Sequence, residues 1–85
     1  MVEKSIEVKL KAGLQARAAS IFVQEASRYS SEIFLERDGR KVNAKSIMGL
    51  MSLAIGPETV INLSADGEDE EEAIAALSKL IENEN

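Results

Sequence analysis

The sequence predicts an α+β fold: an open-faced, two-layer sandwich in which three helices cover one face of a four-stranded antiparallel sheet, in the order βαββαβα. Three observations lead to it. Two segments alternate polar and apolar residues, which is typical of strands with one buried face. Three others carry apolar residues at helical spacing, and an Asp-Gly pair joins two short β-prone runs. A chain of 85 residues is enough for one such domain, residues 1–85.

The first strand and the first helix are predicted at residues 2–10 and 16–28. The apolar residues of the strand all occupy even positions, and Ala12-Gly13 ends it. The helix carries its apolar residues on one face, at Ala19, Phe22, Val23 and Ala26. Ser30-Ser31 then signals a loop.

A β-hairpin is predicted at residues 32–37 and 40–43. The two runs flank Asp38-Gly39, and this dipeptide between β-prone runs is a strong hairpin signal. Arg37, Arg40 and Lys41 surround the turn. Because charged side chains discourage pairing with further strands, they indicate that the outer strand is a protected edge.

The second helix is predicted between Ser46, a good N-cap residue, and the stop signal Gly56-Pro57. Its apolar residues cover an arc of about 220°, whereas a surface helix needs a stripe of little more than about 100°. A helix in a two-layer fold can bury only one side, which we predict to comprise Leu50, Leu53 and Ala54. The residues left partly exposed are then Ile47, Met48 and Met51. How far Met48 is exposed stays open.

The last strand is predicted at residues 59–65, where apolar and polar residues alternate again. The third helix begins after Asp69, which with Glu72 forms a variant of the capping box. The acidic residues 68–72 could suggest a metal site. We interpret them instead as a solvated helix start, because the macrodipole favours negative charge there.

The composition disfavours several classes of function. The chain has no histidine and no cysteine, so phosphohistidine chemistry and thiolate nucleophiles are impossible. Nothing indicates a catalytic site, a cofactor or a metal, and an enzyme is not expected. The net charge of −5 and the few aromatic residues argue against direct nucleic-acid binding. Without a long apolar run or a signal peptide, we expect no membrane contact and a cytoplasmic location.

Ser46 has two interpretations. A plain N-cap explains a serine there, and the residue pattern alone favours this reading. The alternative is a phosphorylation site, since the N–H groups at a helix start stabilise a phosphate. Arg17, which lies where the first loop enters the first helix, is either solvated or able to reach an anion bound nearby.

Two motifs carry a resemblance to a known family. GLQARAA at residues 13–19 resembles the active-site segment of HPr, the phosphocarrier of the bacterial sugar phosphotransferase system, where it reads GLHARPA. NAKSIMGLMSLA at residues 43–54 resembles the regulatory-serine segment of that family. The resemblance covers the whole chain and implies the same HPr-like fold.

The sequence departs from the family at two positions. Gln15 replaces the active-site histidine, and because an amide cannot carry a phosphoryl group, phosphocarrier activity should be absent. Ala18 replaces a proline that is pre-organised for the first helical turn. The loss of the histidine with the serine segment retained resembles the regulatory, HPr-like branch of the family.

This resemblance implies a role in carbon catabolite repression. A bifunctional HPr kinase/phosphorylase would phosphorylate Ser46 with ATP, and the product would act as co-repressor of catabolite control protein A, a LacI-type repressor. The implied partner-binding residues are Arg17, Ser20, Ile47, Met48 and Met51, with Gln15 nearby. The alternatives are a phosphorylation-independent regulator of a metabolic enzyme, a true phosphocarrier and an orphan domain. Exchange of the exposed N-terminal strand would give a homodimer.

Overall fold

The computed structural model describes residues 1–10, 13–14 and 16–82. Seven elements follow one another in the predicted order, which confirms the α+β class. Their bounds are β1 (Val2–Glu7), α1 (Ala16–Ala26), β2 (Glu32–Arg37), β3 (Arg40–Asn43), α2 (Ile47–Ser52), β4 (Val60–Asp66) and α3 (Glu70–Glu82).

The four strands form one antiparallel sheet in the order β1-β4-β2-β3. β3 is therefore an edge strand, as its charged residues predicted. Ile61 of β4 pairs with Ile6, and Leu63 pairs with Leu35, so their side chains line the same face. The three helices cover that face, and the other face of the sheet is open.

The core lies between the sheet and the helices. α1 packs against both α2 and α3, while α3 packs against β1 and β4. Side chains from every layer meet there with almost no exposure: Ile6, Phe22, Leu35, Leu50, Ile61, Leu63 and Leu77.

The β2–β3 turn confirms the hairpin prediction. Asp38 and Gly39 adopt φ values of 51° and 80°. Positive φ at both central residues is the signature of a type I′ turn, whose twist matches that of the flanking strands. Asp tolerates this conformation better than most residues, and Gly adopts it without steric strain.

β1 is shorter than predicted, because it leaves the sheet after Glu7. The Lys9 N–H donates to the Ile81 carbonyl at 2.7 Å, which turns the chain toward the end of α3. Val8 stays close to the sheet, where its N–H donates to the Thr59 carbonyl at 2.9 Å. The predicted break at Ala12 lies outside the described residues.

α1 also ends earlier than predicted, at Ala26 rather than at residue 28. The Ser27 hydroxyl donates to the Val23 carbonyl at 2.8 Å, and the Tyr29 N–H donates to the Ala26 carbonyl at 3.2 Å. The Arg28 N–H likewise donates to the carbonyl three residues earlier, that of Glu25, at 3.1 Å, so the last turn tightens and the regular helix ends.

α2 ends at Ser52 instead of residue 55, and the prediction that Ala54 is buried is wrong. The Leu53 N–H bonds to the carbonyl three residues earlier, that of Leu50, which tightens the last turn. Ala54 then adopts a left-handed φ of 51° and is exposed, while Ile55 is completely buried. Leu50 and Leu53 are buried as predicted.

The start of α3 uses different contacts from the predicted capping box. The Asp69 carboxylate accepts hydrogen bonds from the N–H groups of Ser30 and Ser31, at 2.9 and 3.0 Å, and from the Ser31 hydroxyl. Glu70, rather than Glu72, reaches back, and its carboxylate accepts from the Gly67 N–H at 3.1 Å. Asp69 therefore ties α3 to the loop between α1 and β2.

Candidate docking site around Ser46

Ser46 is the N-cap of α2. Its backbone is extended, with φ −111° and ψ 113°, and the Gly49 N–H donates to Ser46 Oγ at 3.1 Å. The Leu50 N–H donates to the Ser46 carbonyl at 3.0 Å. Both contacts confirm the predicted cap. Because the hydroxyl oxygen acts here as an acceptor, its proton is not required by the cap.

Gly49 allows α2 to lie close to β3. A Cβ at this position would lie 3.2 Å from Val42 Cβ and 3.4 Å from Ser46 Oγ. The first distance is tighter than ordinary van der Waals contact, so a larger residue would push the helix away from the hairpin or crowd the serine. The glycine therefore keeps the surroundings of Ser46 open.

Three large apolar side chains next to Ser46 face solvent, and we call them the apolar patch. Ile47, Met48 and Met51 are 36%, 78% and 49% exposed. Leu50 on the opposite side of α2 is fully buried, which fixes the orientation of the helix. The predicted exposure is confirmed, and Met48 is the most exposed of the three. Exposed Met side chains suit adaptable binding surfaces.

Two of the predicted binding residues belong to α1, the helix that packs against α2. Arg17 and Ser20 are exposed on α1, which packs against α2. Gln15 lies outside the described residues. α1 begins at Ala16, so Ala18, the residue that replaces the proline, is already inside the helix. The structure brings α1 and α2 together, while the roles of their exposed residues in binding stay predictions.

Sequence reasoning missed an exposed isoleucine of α1. Ile21 is 42% exposed and borders a small apolar cleft of about 80 Å³ between α1 and α3. The cleft is lined by Leu10, Leu14, Ala18, Ile21, Phe22, Leu80 and Ile81. The available signal was the position of Ile21, which lies off the apolar stripe of its helix.

Sequence reasoning also missed the contacts at the end of α2. Arg37 Nη1 donates to the carbonyls of Leu53 and Ala54, at 2.8 and 3.0 Å. Arg40 Nη1 donates to the Ser52 carbonyl at 3.4 Å. The arginines of the hairpin therefore hold the carbonyls that the short helix leaves unpaired.

Charge is distributed unevenly around the site. Residues 40–57, which include α2, contain three basic residues and no carboxylate. Carboxylates gather instead at the start of α3, where the Ser31 hydroxyl and then the Ser30 N–H lower the pKa of Asp69. The Gly67 N–H and the amino terminus of Met1 likewise lower the pKa of Glu70. A negative group added at Ser46 would meet no like charge within its own segment.

The described residues offer neither a metal site nor a membrane span. Among residues 1–10, 13–14 and 16–82 there is no group of three or more acidic, His or Cys side chains that could hold a metal ion. None of the helices described here is long and apolar enough to cross a membrane.

Comparison with known proteins identifies the family. The sequence model described as "PTS HPr component phosphorylation site" matches residues 2–83. The chain belongs to the HPr family. A curated member, the HPr-like protein Crh of Halalkalibacterium halodurans, is 67% identical over 84 residues, which cover 99% of this chain and 100% of that protein.

Solved structures of HPr-family proteins share the fold. HPr-C-His from Thermoanaerobacter tengcongensis is 60% identical and has a TM-score of 0.94, covering 96% of this chain and 92% of that one. Selenomethionyl Crh of Bacillus subtilis, whose crystal structure is described as a dimer with a swapping domain, is 59% identical. Its TM-score is 0.77, and the match covers 95% of this chain and 93% of that one.

Proposed function

We propose that this HPr-family protein is a phosphorylation-switched co-repressor of carbon catabolite repression, acting in the cytoplasm and not as an enzyme. HPr kinase/phosphorylase phosphorylates Ser46, and the phosphorylated form binds catabolite control protein A, a LacI-type repressor. One observation carries the proposal: Ser46 caps α2 directly beside the exposed apolar patch. A phosphate on this hydroxyl therefore adds charge next to a surface that is ready to bind.

The modification is a simple phosphoryl transfer. Ser46 Oγ forms a bond to the γ-phosphorus of ATP, the bond to the β,γ-bridging oxygen breaks, and ADP leaves. The hydroxyl proton passes to a base of the kinase. The cap favours the product, because the Gly49 N–H already points at Ser46 Oγ and the first N–H groups of a helix suit an anion. The added charge of about −1.5 to −2 thus leaves α2 folded.

The partner surface combines the phosphate with the apolar patch. Ile47, Met48 and Met51 supply apolar contact, and Arg17 and Ser20 extend the surface along α1. In this proposal Arg17 steadies the phosphate. Because no histidine occurs in the chain and Gln15 cannot carry a phosphoryl group, the protein does not act as a phosphocarrier. The similarity to proteins named Crh supports the regulatory role.

Mass spectrometry after incubation with the cognate kinase and ATP tests the first step. We expect one phosphate, on Ser46, in the wild type and in the control Ser52→Ala, which changes an exposed serine of the same helix. Ser46→Ala should remain unmodified. Phosphate on another residue, or none in the wild type, contradicts the proposal.

A titration with the repressor tests the second step. The phosphorylated wild type should bind, whereas kinase-treated Ser46→Ala should bind no better than unmodified protein. Equal affinity of Ser46→Ala and the phosphorylated wild type would refute the switch. Incubation with phosphoenolpyruvate and the first enzyme of the phosphotransferase system should leave no acid-labile phosphate on the chain.

A second function has one observation in its favour. The apolar patch is exposed in the unmodified chain, so it is available without phosphate. A metabolic enzyme regulated by the unphosphorylated form would use the same surface. Pull-downs with unphosphorylated and phosphorylated protein separate the two cases, because enzyme capture that phosphorylation abolishes favours this alternative.

We also propose a homodimer formed by exchange of β1. This strand is at the edge of the sheet, pairs with β4 and is followed by a chain that leaves the sheet. The swapped Crh of Bacillus subtilis supports the idea. Light scattering should reveal a dimer, and isotope-labelled and unlabelled dimers should mix slowly. A monomer at every concentration would contradict it.

A further inference from the structure

The β2–β3 hairpin holds the end of α2 through two arginines. Arg37 and Arg40 pair across the hairpin on either side of its turn, on the helix-covered side of the sheet. Arg37 donates to the carbonyls of Leu53 and Ala54, and Arg40 donates to that of Ser52. Three consecutive carbonyls thus receive hydrogen bonds from another element.

α2 depends on such external contacts. It has only six residues, and a helix this short is marginal by itself. No basic residue lies in its last turn, so the hairpin supplies the positive charge that suits a helix C-terminus. Ala54 adopts a left-handed φ of 51°, which a non-glycine residue keeps only where its surroundings fix it.

The same segment also supports the start of α1. Leu53 and Ile55 are buried, and the Ile55 carbonyl accepts a hydrogen bond from the Leu14 N–H at 2.9 Å. Gly13 approaches this segment so closely that a Cβ would lie 2.3 Å from the Ile55 oxygen. Gly13 and Leu14 therefore rest on residues 53–56, and Arg37 donates hydrogen bonds to the first two carbonyls of that segment.

Other roles explain the contacts of Arg37 less well. β2 is an inner strand, so Arg37 does not protect a sheet edge, in contrast to our expectation from the sequence. Its ion pair with Asp38, at 3.6 Å, involves a carboxylate side chain that is 85% exposed, and such pairs stabilise little. The carbonyls at the end of α2 are its main partners.

We infer that Arg37, assisted by Arg40, is a positioning residue for the docking site. Through the carbonyls of Leu53 and Ala54 it fixes the end of α2, and through Ile55 it fixes the loop before α1. Both helices of the proposed surface thus keep their relative placement. The inference rests on the proposed function for its biological meaning, while the structural coupling can be tested without any partner.

The test is amide hydrogen exchange followed by NMR on Arg37→Gln, with Lys41→Gln as a matched control. The control also removes one positive charge from the hairpin, but Lys41 lies over the Phe34 ring on the open face, 5.3 Å from its centroid. In Arg37→Gln we expect the amides of Leu14, Leu53 and Ala54 to exchange about tenfold faster. Amides of the β1–β4 pair should stay within about twofold of wild type.

Two further measurements extend the test. Arg37→Lys, whose ammonium is not a planar fork, should give intermediate exchange at the same amides. The kcat/KM with which the kinase phosphorylates Ser46 should decrease from wild type to Arg37→Lys and then to Arg37→Gln. Lys41→Gln should match wild type. If Arg37→Gln does not fold, Arg37→Lys decides, and wild-type exchange in that variant overturns the inference.

Unchanged exchange in Arg37→Gln, or an equal increase throughout the sheet, would also overturn it. In the second case Arg37 would be an ordinary stability residue. If the kinase fails to phosphorylate even the wild type, the proposed function is wrong. The exchange pattern still tests whether Arg37 couples the end of α2 to the loop before α1.

Discussion

Two buried serines occupy contrasting environments. Ser31 and Ser78 are 1% and 3% exposed. The Ser31 hydroxyl donates to the Asp69 carboxylate, whereas Ser78 Oγ has no hydrogen-bond partner among the described residues. A buried hydroxyl without a partner has lost its water contacts and gained nothing in return.

Replacement of Ser78 should therefore stabilise the protein. Ser78→Ala removes the unpaired hydroxyl from an interior helix position, and we expect an increase of about 1 kcal/mol in the free energy of unfolding. Ser31→Ala, the matched control, should lower it. Urea unfolding measures both, and a loss of stability in Ser78→Ala would show that the hydroxyl has a partner.

The pKa of Asp69 predicts sensitivity to acid. Hydrogen bonds from the Ser31 hydroxyl and the Ser30 N–H hold this pKa below the ordinary value of 3.8. The carboxylate thus contributes stability that is fully present above that value and is lost as the pH falls through the lowered pKa.

Urea midpoints measured between about pH 2 and pH 6 test this. Near the upper end of this pH range, Asp69→Asn should be less stable than wild type. The slope of its stability against pH should be smaller, because it lacks the carboxylate that is protonated on acidification. Part of this slope should remain in Asp69→Asn, because the pKa of Glu70 is lowered as well. An unchanged slope in Asp69→Asn would contradict the assignment.

At the scale of the elements, the contact between the loop before α1 and the end of α2 leaves no room for a side chain. Gly13 has a φ of 70°, and a Cβ there would lie 2.3 Å from the Ile55 oxygen and 2.7 Å from Gly56 main-chain atoms. All of these are main-chain atoms, so a flexible side chain cannot move aside.

We expect Gly13→Ala to lower the free energy of unfolding by about 3 kcal/mol, because strain and collision act together. Gly56→Ala is the control, since its added Cβ would meet nothing within 4 Å. That change should stay within about 0.5 kcal/mol of wild type. Thermal unfolding compares the two, and similar melting temperatures would contradict the contact.

Sequence patterns predicted the elements whose signals are local and missed several of their ends, most of which depend on distant partners. Ser46 caps α2 and Asp38 begins the hairpin turn, because each interacts with residues close in sequence. The end of α2 depends on Arg37, and the Asp69 carboxylate bonds to a loop that lies far away along the chain. No periodicity reports such contacts, so the left-handed Ala54 could not be foreseen.

The candidate site was predictable to a similar degree. An apolar arc too wide for one buried face indicated that Ile47, Met48 and Met51 would be exposed, and they are. The position of Ile21 off the apolar stripe of α1 signalled its exposure, but the cleft beside it depends on how α1 packs against α3, which the spacing of apolar residues does not determine. The supporting role of Arg37 required knowledge of which strand lies beside which helix.

For the whole molecule, exposed apolar residues occur on two opposite faces. Met51 of α2 is 49% exposed beside Ser46. Val60 is 59% exposed at the start of β4, where its side chain lies on the open face of the sheet. Because the two side chains are similarly exposed on different faces, Val60 is a suitable control for Met51.

Met51→Glu should weaken binding of the phosphorylated protein to the repressor by about tenfold or more, since it places a second negative charge in the apolar patch. Val60→Glu should leave binding unchanged. Both should melt within about 4 °C of wild type, because neither side chain is in the core. A large fall in melting temperature for Met51→Glu would show that Met51 is part of the core instead.

The pairing of β1 with β4 also has a consequence for folding kinetics. It joins the first strand to the last, with Val2 opposite Ala65, whereas β2 and β3 are joined by a two-residue turn. Closing the large loop between β1 and β4 is entropically unfavourable, so we expect the β2–β3 hairpin to form early and β1 to pair with β4 later. Stopped-flow experiments should therefore show that destabilising substitutions in β1 accelerate unfolding more than they slow refolding.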